Sequence, residues 1–316
     1  MSTPTSGFTL HPLARAIALA TATTPALAVA QTAEETEQAA GALEEVIVTA
    51  TKRAVNMQDL PMSIEAFNTE QIEKMGLFNM SDYLKVIPSM STVTTVPGRN
   101  EVVFRGVSTG SGEWRTDSGS AVYLGDVPMT SATQAVDPRM VDIERVEALP
   151  GPQGTLFGSS SQSGALRIIP NRADHRSGYG SFNIGGTYME EGDPGYKLEG
   201  FVNVPLIDDT LSMRLALFDV ETGGFIDNIY GKNIFTDDDN ADVVEDNFNT
   251  WEQTGGRLSV LWTINDSWDV DMMYMNQSQT SKGDWKSDPN AEGVGDLEIV
   301  RFHKDVRNDD WWIGAF

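Results

Sequence analysis

The residues that could carry out chemistry in this chain are few, and cysteine is absent. Without cysteine, the chain can form neither a disulfide nor a thiolate metal site. The three histidines, His11, His175 and His303, lie too far apart in sequence for any two to be neighbouring metal ligands. No nucleophile–base set or carboxylate pair can be assembled from spacing alone. We therefore expect no enzyme, no catalytic residue, no metal site and no cofactor.

Two segments could in principle hold an ionic ligand. The glycine-rich segment Gly151–Gly164 resembles a phosphate cradle, but it lacks the Gly-Lys-Ser/Thr ending of a P-loop. The acidic run Asp237–Asp242 suggests calcium, yet the positions that need glycine and glutamate in an EF-hand are Asp242 and Phe248. We interpret the run as a solvated outer loop, with loose capture of a cation as the alternative.

Charge and hydropathy exclude further classes of protein. The chain has 316 residues, with 22 basic against 46 acidic residues and a net charge of −24. Binding to nucleic acid needs a basic face, so we expect no nucleic-acid partner. An acidic surface favours cationic ligands or simply solubility. No window approaches the roughly 18–20 continuous apolar residues of a membrane-spanning helix.

The N-terminus has the pattern of an export signal followed by a tether. Arg15 precedes a mostly apolar run from Ala16 to Ala30, whose end matches a signal-peptidase site and predicts a signal peptide over residues 1–30. A disordered Ala/Thr-rich tail is the alternative. Residues 31–55 read as a flexible periplasmic tether that contains one β-prone island, Val46–Ala50. The island suits either strand addition to a partner or the first strand of the next domain.

Residues 56–173 have the mixed pattern of a small α+β domain. Thr69–Gly76 is a helix with a polar start and a glycine stop, and Asp82–Val86 is a second helix capped by Ser81. The predicted strands are Val102–Arg105, Val122–Leu124, Ile143–Leu149 and Ala165–Ile169. The turns between them contain glycines that supply positive φ or close backbone approach: Gly106, Gly125, Gly151, Gly154, Gly158 and Gly164.

From residue 177 onward the hydrophobic period changes to two. Segments such as Tyr196–Leu206 and Trp268–Tyr274 have one apolar and one polar face, which is typical of transmembrane barrel strands. Every second connection is tight, as at Ile207–Thr210 and Asn265–Ser267, so the tight turns lie on one side of the sheet. This parity favours a barrel with short periplasmic turns over a secreted β-sandwich enzyme or adhesin.

Several motifs together give the chain a family resemblance over nearly all of its length. They are LEEVIVTATKR (43–53), VFRGVS (103–108), VYLGDVPM (122–129), DIERVEALPGPQGTLFGSSSQSGALRIIPNRA (142–173) and GGFIDN (223–228). In type, order and spacing they resemble the TonB-dependent outer-membrane receptors. The long fourth motif is the most specific, because it matches the last plug strands and the glycine-rich turn between them.

The resemblance implies two sets of site residues. The segment that pairs with the energy-transducing protein, the TonB box, consists of Glu45, Val46, Ile47, Val48, Thr49 and Ala50. Arg145 and Glu147 are candidates for the ion pairs that lock the plug against acidic residues of the barrel. Pro150 stands where the family usually has an arginine, so that partner of the lock is lost.

The resemblance also implies a function: active uptake of a scarce solute across the outer membrane, most often a ferric-siderophore-type iron complex. The implied partners are a TonB-type energy-transducing protein, outer-membrane lipid and a small-molecule ligand such as a ferric siderophore. Binding by the outer loops would free the box, which the partner would then pull.

Chain length limits the predicted fold. Barrels of this kind have about 22 strands, and the residues after Gly178 suffice for roughly five to seven. We therefore predict an α+β plug domain (56–173) followed by an incomplete antiparallel transmembrane β-barrel, all-β and truncated (177–316). The alternative function is that of a truncated, non-transporting remnant or a soluble plug-type binding or signalling module.

Overall fold

The structure is a computed structural model that describes residues 47–49, 52–53, 55–83, 85–108, 118–130, 135–283, 285–287 and 293–316. The predicted signal peptide, most of the tether, and Glu45, Val46 and Ala50 of the predicted box lie outside these residues. None of the helices in the described residues is long and apolar enough to cross a membrane.

The first part of the described chain is a mixed α+β domain, as predicted. Its strands are β1 (Ile47–Val48), β2 (Val55–Asn56), β3 (Glu65–Asn68), β4 (Met90–Val96), β5 (Arg99–Phe104), β6 (Ser120–Leu124), β7 (Val127–Pro128), β8 (Ala135–Val136), β9 (Ile143–Pro150) and β10 (Gly164–Pro170). Its helices are α1 (Thr69–Met75), α2 (Met80–Tyr83) and α3 (Gly154–Phe157), and a 3-10 turn covers Met57–Asp59.

These strands form one main sheet and two smaller ones. The main sheet has the order β3-β9-β10-β6-β7, in which β10 is antiparallel to β9 and parallel to β6. Strands β4, β5 and β8 form a second sheet, and β1 pairs with β2 alone. One face of the main sheet carries the larger core around Phe104, Leu124 and Leu166. A smaller core that includes Val48, Leu149 and Phe157 forms separately.

The two predicted helices differ in how well the sequence located them. Helix α1 begins at a capping box between Asn68 and Gln71 and ends at Gly76, whose φ is +67°, as predicted. Helix α2 begins two residues before the predicted start at Asp82. Asn79, rather than Ser81, accepts the backbone N–H of Asp82 at 3.0 Å, and the Asp82 carboxylate accepts the N–H of Phe78.

The second part of the chain is an antiparallel sheet with the predicted alternation. It contains β11 (Tyr179–Thr187), β12 (Gly195–Ile207), β13 (Leu211–Thr222), β15 (Trp251–Asn265), β16 (Trp268–Lys282) and β18 (Val306–Ala315), paired in that order. Two short strands, β14 (Asp227–Asn228) and β17 (Glu298–Ile299), lie in the long connections. In the part of the chain that the structure describes, β11 and β18 do not pair with each other, so the sheet stays open.

The two faces of this sheet differ as membrane strands require. On β12, Leu198, Val202 and Val204 lie on one face, and Glu199 and Asn203 lie on the other. These two polar residues are almost fully buried, with 5% of Glu199 and 0% of Asn203 exposed. They are buried because the α+β domain packs against them, and the apolar face points away from that domain. This is the arrangement of a barrel wall around a plug.

The long connections are partly ordered by contacts with each other, and the acidic run within them is exposed to solvent, as predicted. Residues 223–250 and 293–305 pack together into what we call the outer cap. Strand β14 pairs in parallel with β17 across it, and Ile226, Phe248 and Ile299 form its small core. The acidic run Asp237–Asp242 is exposed except at Asn240, which is fully buried.

The six turn glycines behave in three ways. Positive φ occurs at Gly106, Gly125, Gly151 and Gly158. Gly164 instead permits a close approach, because a Cβ there would lie 2.3 Å from Cδ2 of Phe104. Gly154 does neither: it lies in α3, and a Cβ there would meet no atom within 4 Å. The prediction was wrong for Gly154 because its segment turns helically rather than through left-handed backbone.

Substitution of these last two glycines should have opposite effects on the plug. Gly164→Ala forces a methyl group against Phe104 and should lower the free energy of unfolding by about 1–3 kcal/mol, the usual cost of overpacking. Gly154→Ala is the matched control, and it should be neutral or stabilising by up to about 1 kcal/mol because it only restricts the unfolded chain. Thermal unfolding of both variants measures the difference. Equal melting temperatures would contradict the close approach at Gly164.

Candidate functional site

The described part of the predicted box is folded onto the plug. Ile47 and Val48 pair antiparallel with Asn56 and Val55. The Val48 side chain is fully buried in the smaller core, whereas 54% of Ile47 is exposed. The island therefore forms the first strand of the domain in this state. Its second predicted use, strand addition to a partner, would begin from this docked position.

Thr49 connects the docked strand to a buried carboxylate. Its backbone N–H donates to Oε1 of Glu147 at 2.7 Å, and its hydroxyl donates to the same oxygen at 3.3 Å. The hydroxyl also accepts hydrogen bonds from Nη2 of Arg145 at 2.9 Å and from Nη1 of Arg167 at 2.8 Å. The backbone N–H and the hydroxyl of Thr49 thus both bond to charged groups, and such hydrogen bonds are stronger than those between neutral groups.

Glu147 is the centre of this cluster, which we call the box latch: Thr49, Arg145, Glu147 and Arg167. The Glu147 side chain is fully buried and pairs with Arg145 at 2.9 Å and with Arg167 at 2.8 Å. Because β9 and β10 place Glu147 directly opposite Arg167, the two charges are neighbours in register. Buried charges need such pairing, because isolated ones are costly to desolvate.

The predicted role of Arg145 and Glu147 as a lock against the barrel needs correction. Within the described residues, their hydrogen bonds and ion pairs join them to Glu144, Arg167, Thr49 and each other, all outside the barrel wall. The physical reason is the pleat of β9, which turns both side chains toward the docked box strand and not toward the wall.

A second ion pair lies at the edge of the box latch. Lys52 donates to Asp126 at 2.5 Å, and Arg167 reaches the same carboxylate at 3.3 Å. The hydrogen bond from Lys52 is the main influence that holds the pKa of Asp126 below its usual value. The Phe157 ring lies beneath both cations, 5.1 Å from Nζ of Lys52 and 5.5 Å from Cζ of Arg167. This pair is more exposed, so we expect it to contribute less than Glu147.

The plug is joined to the barrel wall by a different carboxylate, Asp142. Its side chain is fully buried and pairs with Arg214 of β13 at 2.6 Å and with Arg257 of β15 at 2.9 Å. Arg257 also donates to the backbone oxygens of Val141 and Asp142, at 3.0 and 2.7 Å. One carboxylate of the plug thus holds two neighbouring strands of the wall.

The preceding residues extend this contact along the wall. Arg139 pairs with Glu199 of β12 at 2.6 Å, and its backbone N–H donates to Oε1 of Gln277 on β16 at 3.0 Å. Nε2 of Gln277 in turn donates to the backbone oxygen of Asp137 at 2.9 Å. Residues 137–142, which we call the clasp, therefore contact β12, β13, β15 and β16.

Asp137 connects the clasp to the interior of the plug. Its carboxylate accepts the backbone N–H of Met80 at 3.1 Å and Nδ2 of Asn100 at 3.0 Å. Burial is the main cause that raises the pKa of Asp137 to about 6. These bonds fix helix α2 and strand β5 relative to the wall, so a shift of either element would be felt at the clasp.

Sequence reasoning did not find the clasp, and its assignment of the box stays a prediction. Asp142 begins the long family motif, yet in sequence nothing separates it from a surface aspartate. The sequence pattern that could have predicted the clasp lies in the barrel strands. There, Arg214 and Arg257 lie on polar faces that a plug must cover. Glu199 and Gln277 give the same signal on β12 and β16. A buried cation on a wall requires an anion on the plug.

Comparison with known proteins agrees with this geometry. Residues 56–165 match the model of the TonB-dependent receptor plug domain. The chain is 28% identical over 177 residues to the iron-regulated outer membrane virulence protein of Vibrio cholerae, which covers 54% of this chain and 27% of that protein. It is 27% identical over 158 residues to the pesticin receptor of Yersinia pestis, which covers 48% of this chain and 21% of that one.

Solved structures show the same fold. The ferripyoverdine receptor of Pseudomonas aeruginosa, bound to ferripyoverdine, matches with a TM-score of 0.61 and 17% identity, covering 85% of this chain and 33% of that one. The ferric yersiniabactin uptake receptor of Yersinia pestis matches with a TM-score of 0.55 and 19% identity, covering 70% and 32%. The chain thus spans about a third or less of these proteins.

The fold and the clasp define the class of protein. It is a membrane barrel protein whose plug domain packs against the polar face of the barrel wall. Residues 56–165 match the plug domain of TonB-dependent receptors, and the chain is similar in sequence and in fold to outer-membrane receptors that contain such a plug.

Removal of the Asp142 charge should loosen the plug from the wall. Asp142→Asn leaves two buried guanidinium groups without an anion, so the clasp should lose about 3–5 kcal/mol of stability. The matched control is Asp271→Asn, because Asp271 pairs with Arg172 at 2.6 Å in an exposed position and should contribute less than about 1 kcal/mol. Amide hydrogen exchange of residues 137–143 is the measurement, and equal protection in both variants would contradict the role of Asp142.

Proposed function

We propose that this chain belongs to an outer-membrane receptor that takes up a ferric siderophore or similar iron complex, driven by a TonB-type energy-transducing protein. The observation that carries the proposal is the box strand, which is docked on a plug that is itself clasped to the barrel wall. The ligand class is inferred from proteins of similar fold, which include receptors for ferric yersiniabactin and ferripyoverdine. We infer no catalytic role.

The docked strand gives the partner a place to attach. Strand β1 pairs with β2 along one edge, and in the described residues no strand occupies its other edge. An extended partner segment can add there through backbone hydrogen bonds, which give a short segment enough attachment to carry force. The exposed Ile47 side chain lies beside this edge, whereas Val48 must leave the core when the strand is pulled.

The box latch sets the resistance to that pull. Release of Thr49 breaks its two bonds to Glu147 and those from Arg145 and Arg167, and it exposes a buried ion cluster to water. Because Glu147 and Arg167 belong to adjacent strands of the main sheet, force on the box acts directly on β9 and β10. Strand β9 follows the clasp in sequence, so the same pull reaches the contact with the wall.

The strength of the latch can be measured by spectroscopy. The chain has no cysteine, so Ile47→Cys offers a single position for a spin label. With the label in place, Glu147→Gln should raise the mobile fraction of the label at least about ten-fold, because Thr49 loses a charged acceptor. Asp126→Asn is the control at the exposed edge of the cluster, and it should change the spectrum little.

A second variant distinguishes release of the strand from a general loss of structure. Glu147→Asp keeps the negative charge beside Arg145 and Arg167 but withdraws the carboxylate from Thr49. It should also mobilise the label, to a smaller extent. A label that stays immobile in both Glu147 variants would contradict the latch.

Uptake in cells tests the function itself. Deletion of residues 45–51 should abolish energised uptake of iron-55 carried by yersiniabactin, pyoverdine or a catecholate, and it should leave binding at the cell surface intact. A deletion of equal length in the tether, residues 32–38, is the control and should preserve uptake. Full uptake without residues 45–51 would refute the box assignment, and no binding of any of the three probes by the unaltered receptor would refute the ligand class.

A further inference from the structure

The outer cap contains a cavity whose charge is opposite to that of the chain. The cavity has a volume of about 400 Å³, and its lining includes Arg301, His303 and Lys304 with a single carboxylate, Asp305. The whole chain carries a net charge of −24. A local group of cations in so acidic a protein has carboxylates all around with which it could pair.

The cations of this cavity nevertheless remain without such partners. Among the described residues, no ion pair involves Arg301, His303 or Lys304, whereas Lys232 and Lys282 of the same region pair with Asp237 and Glu245. Nε of Arg301 is buried and has no hydrogen-bond partner in that part of the chain. A buried donor without an acceptor costs free energy, and an anion in the cavity would remove that cost.

The backbone of Arg301 is held in place by two buried asparagines. Its N–H donates to Oδ1 of Asn228 at 2.7 Å, and its carbonyl oxygen accepts from Nδ2 of Asn228 at 3.2 Å and from Nδ2 of Asn240 at 3.0 Å. Only 3% of Asn228 and 0% of Asn240 is exposed. The guanidinium therefore projects from a fixed point, and a ligand need not order the backbone when it binds.

The neighbouring residue is fixed as well. Val300 packs so closely on Gly231 that a Cβ at position 231 would lie 2.5 Å from Cγ1 of Val300. The backbone N–H of Gly231 donates to Oδ1 of Asn240 at 2.7 Å, so the same buried side chain holds the backbone at both Gly231 and Arg301. The backbone at Arg301 is thus fixed by the fold of the cap, and the exposed side chains of His303 and Lys304 follow it in sequence.

We propose that this cavity binds an oxyanion, a carboxylate or phosphate group, between the guanidinium of Arg301 and the ammonium of Lys304. Guanidinium groups match planar carboxylates and phosphates with two parallel hydrogen bonds, and a ring nitrogen of His303 can add a third donor. The volume of about 400 Å³ leaves room for an oxyanion that is part of a larger molecule. A free anionic solute and the phosphorylated headgroup of an outer-leaflet lipid share this chemistry. The site stands whether or not the chain takes part in uptake.

Titration of the purified protein in detergent micelles tests the site. Inorganic pyrophosphate, followed by calorimetry, is the free-solute probe, and fluorescently labelled lipopolysaccharide is the lipid probe. Arg301→Gln and Lys304→Gln should each weaken binding of at least one probe by about ten-fold or more, the loss expected for a charge-assisted hydrogen bond. Lys232→Gln is the matched control, since Lys232 lies in the same cap but pairs with Asp237.

The outcomes distinguish the two sources of the oxyanion. Weaker binding of pyrophosphate by the two cavity variants supports a site for a free solute. Weaker binding of lipopolysaccharide alone supports a site for a lipid headgroup. Binding of both probes by the variants as tightly as by the unaltered protein, or no binding by the unaltered protein, would overturn the proposal. Lys304 is exposed, so its variant tests the site without risk to the fold.

Discussion

The arrangement of this protein depends on one buried carboxylate between two buried guanidinium groups, Asp142 of the plug with Arg214 and Arg257 of the wall. A barrel wall that faces lipid on one side must place its polar residues on the other, where water or protein has to satisfy them. Here the plug does so, and it brings its own charges to the wall. The sheet and the plug therefore each supply what the other needs.

Strand β9 stands between two such charge clusters. The clasp lies just before the strand and faces the wall, and Glu147 lies within the strand and faces the box. Both clusters are fully buried at their carboxylates, and both use arginine, whose planar group can serve several oxygens at once. Since the two are only a few residues apart on a rigid strand, a change at one cluster bears on the other without any intervening loop.

Much of this fold could be predicted from the sequence, because its signals are local. The alternation of β12, β13 and β16 and the parity of the turns depend on hydrophobic period alone. Strand β18 escaped prediction because Asp310 and Gly314 interrupt its alternation, and its pairing with β16 overrides that pattern. The clasp could not be predicted, since its partners lie many residues away in sequence and only the packed fold selects them. The predicted box residues come from a resemblance, and the docked position of Thr49 depends on long-range contacts with β9 and β10 that the local sequence does not encode.

The outer cap fixes the ends of several wall strands relative to one another. In the cap, the connection after β13 contacts the connection after β16 through the pairing of β14 with β17. The ends of β13, β15, β16 and β18 that lead into the cap are therefore held together. This contact adds to the ladders of backbone hydrogen bonds between these strands. Strands that are joined at their ends in this way do not separate from one another. Because the cap and the backbone ladders join the same strands, these strands form one unit against which the plug packs.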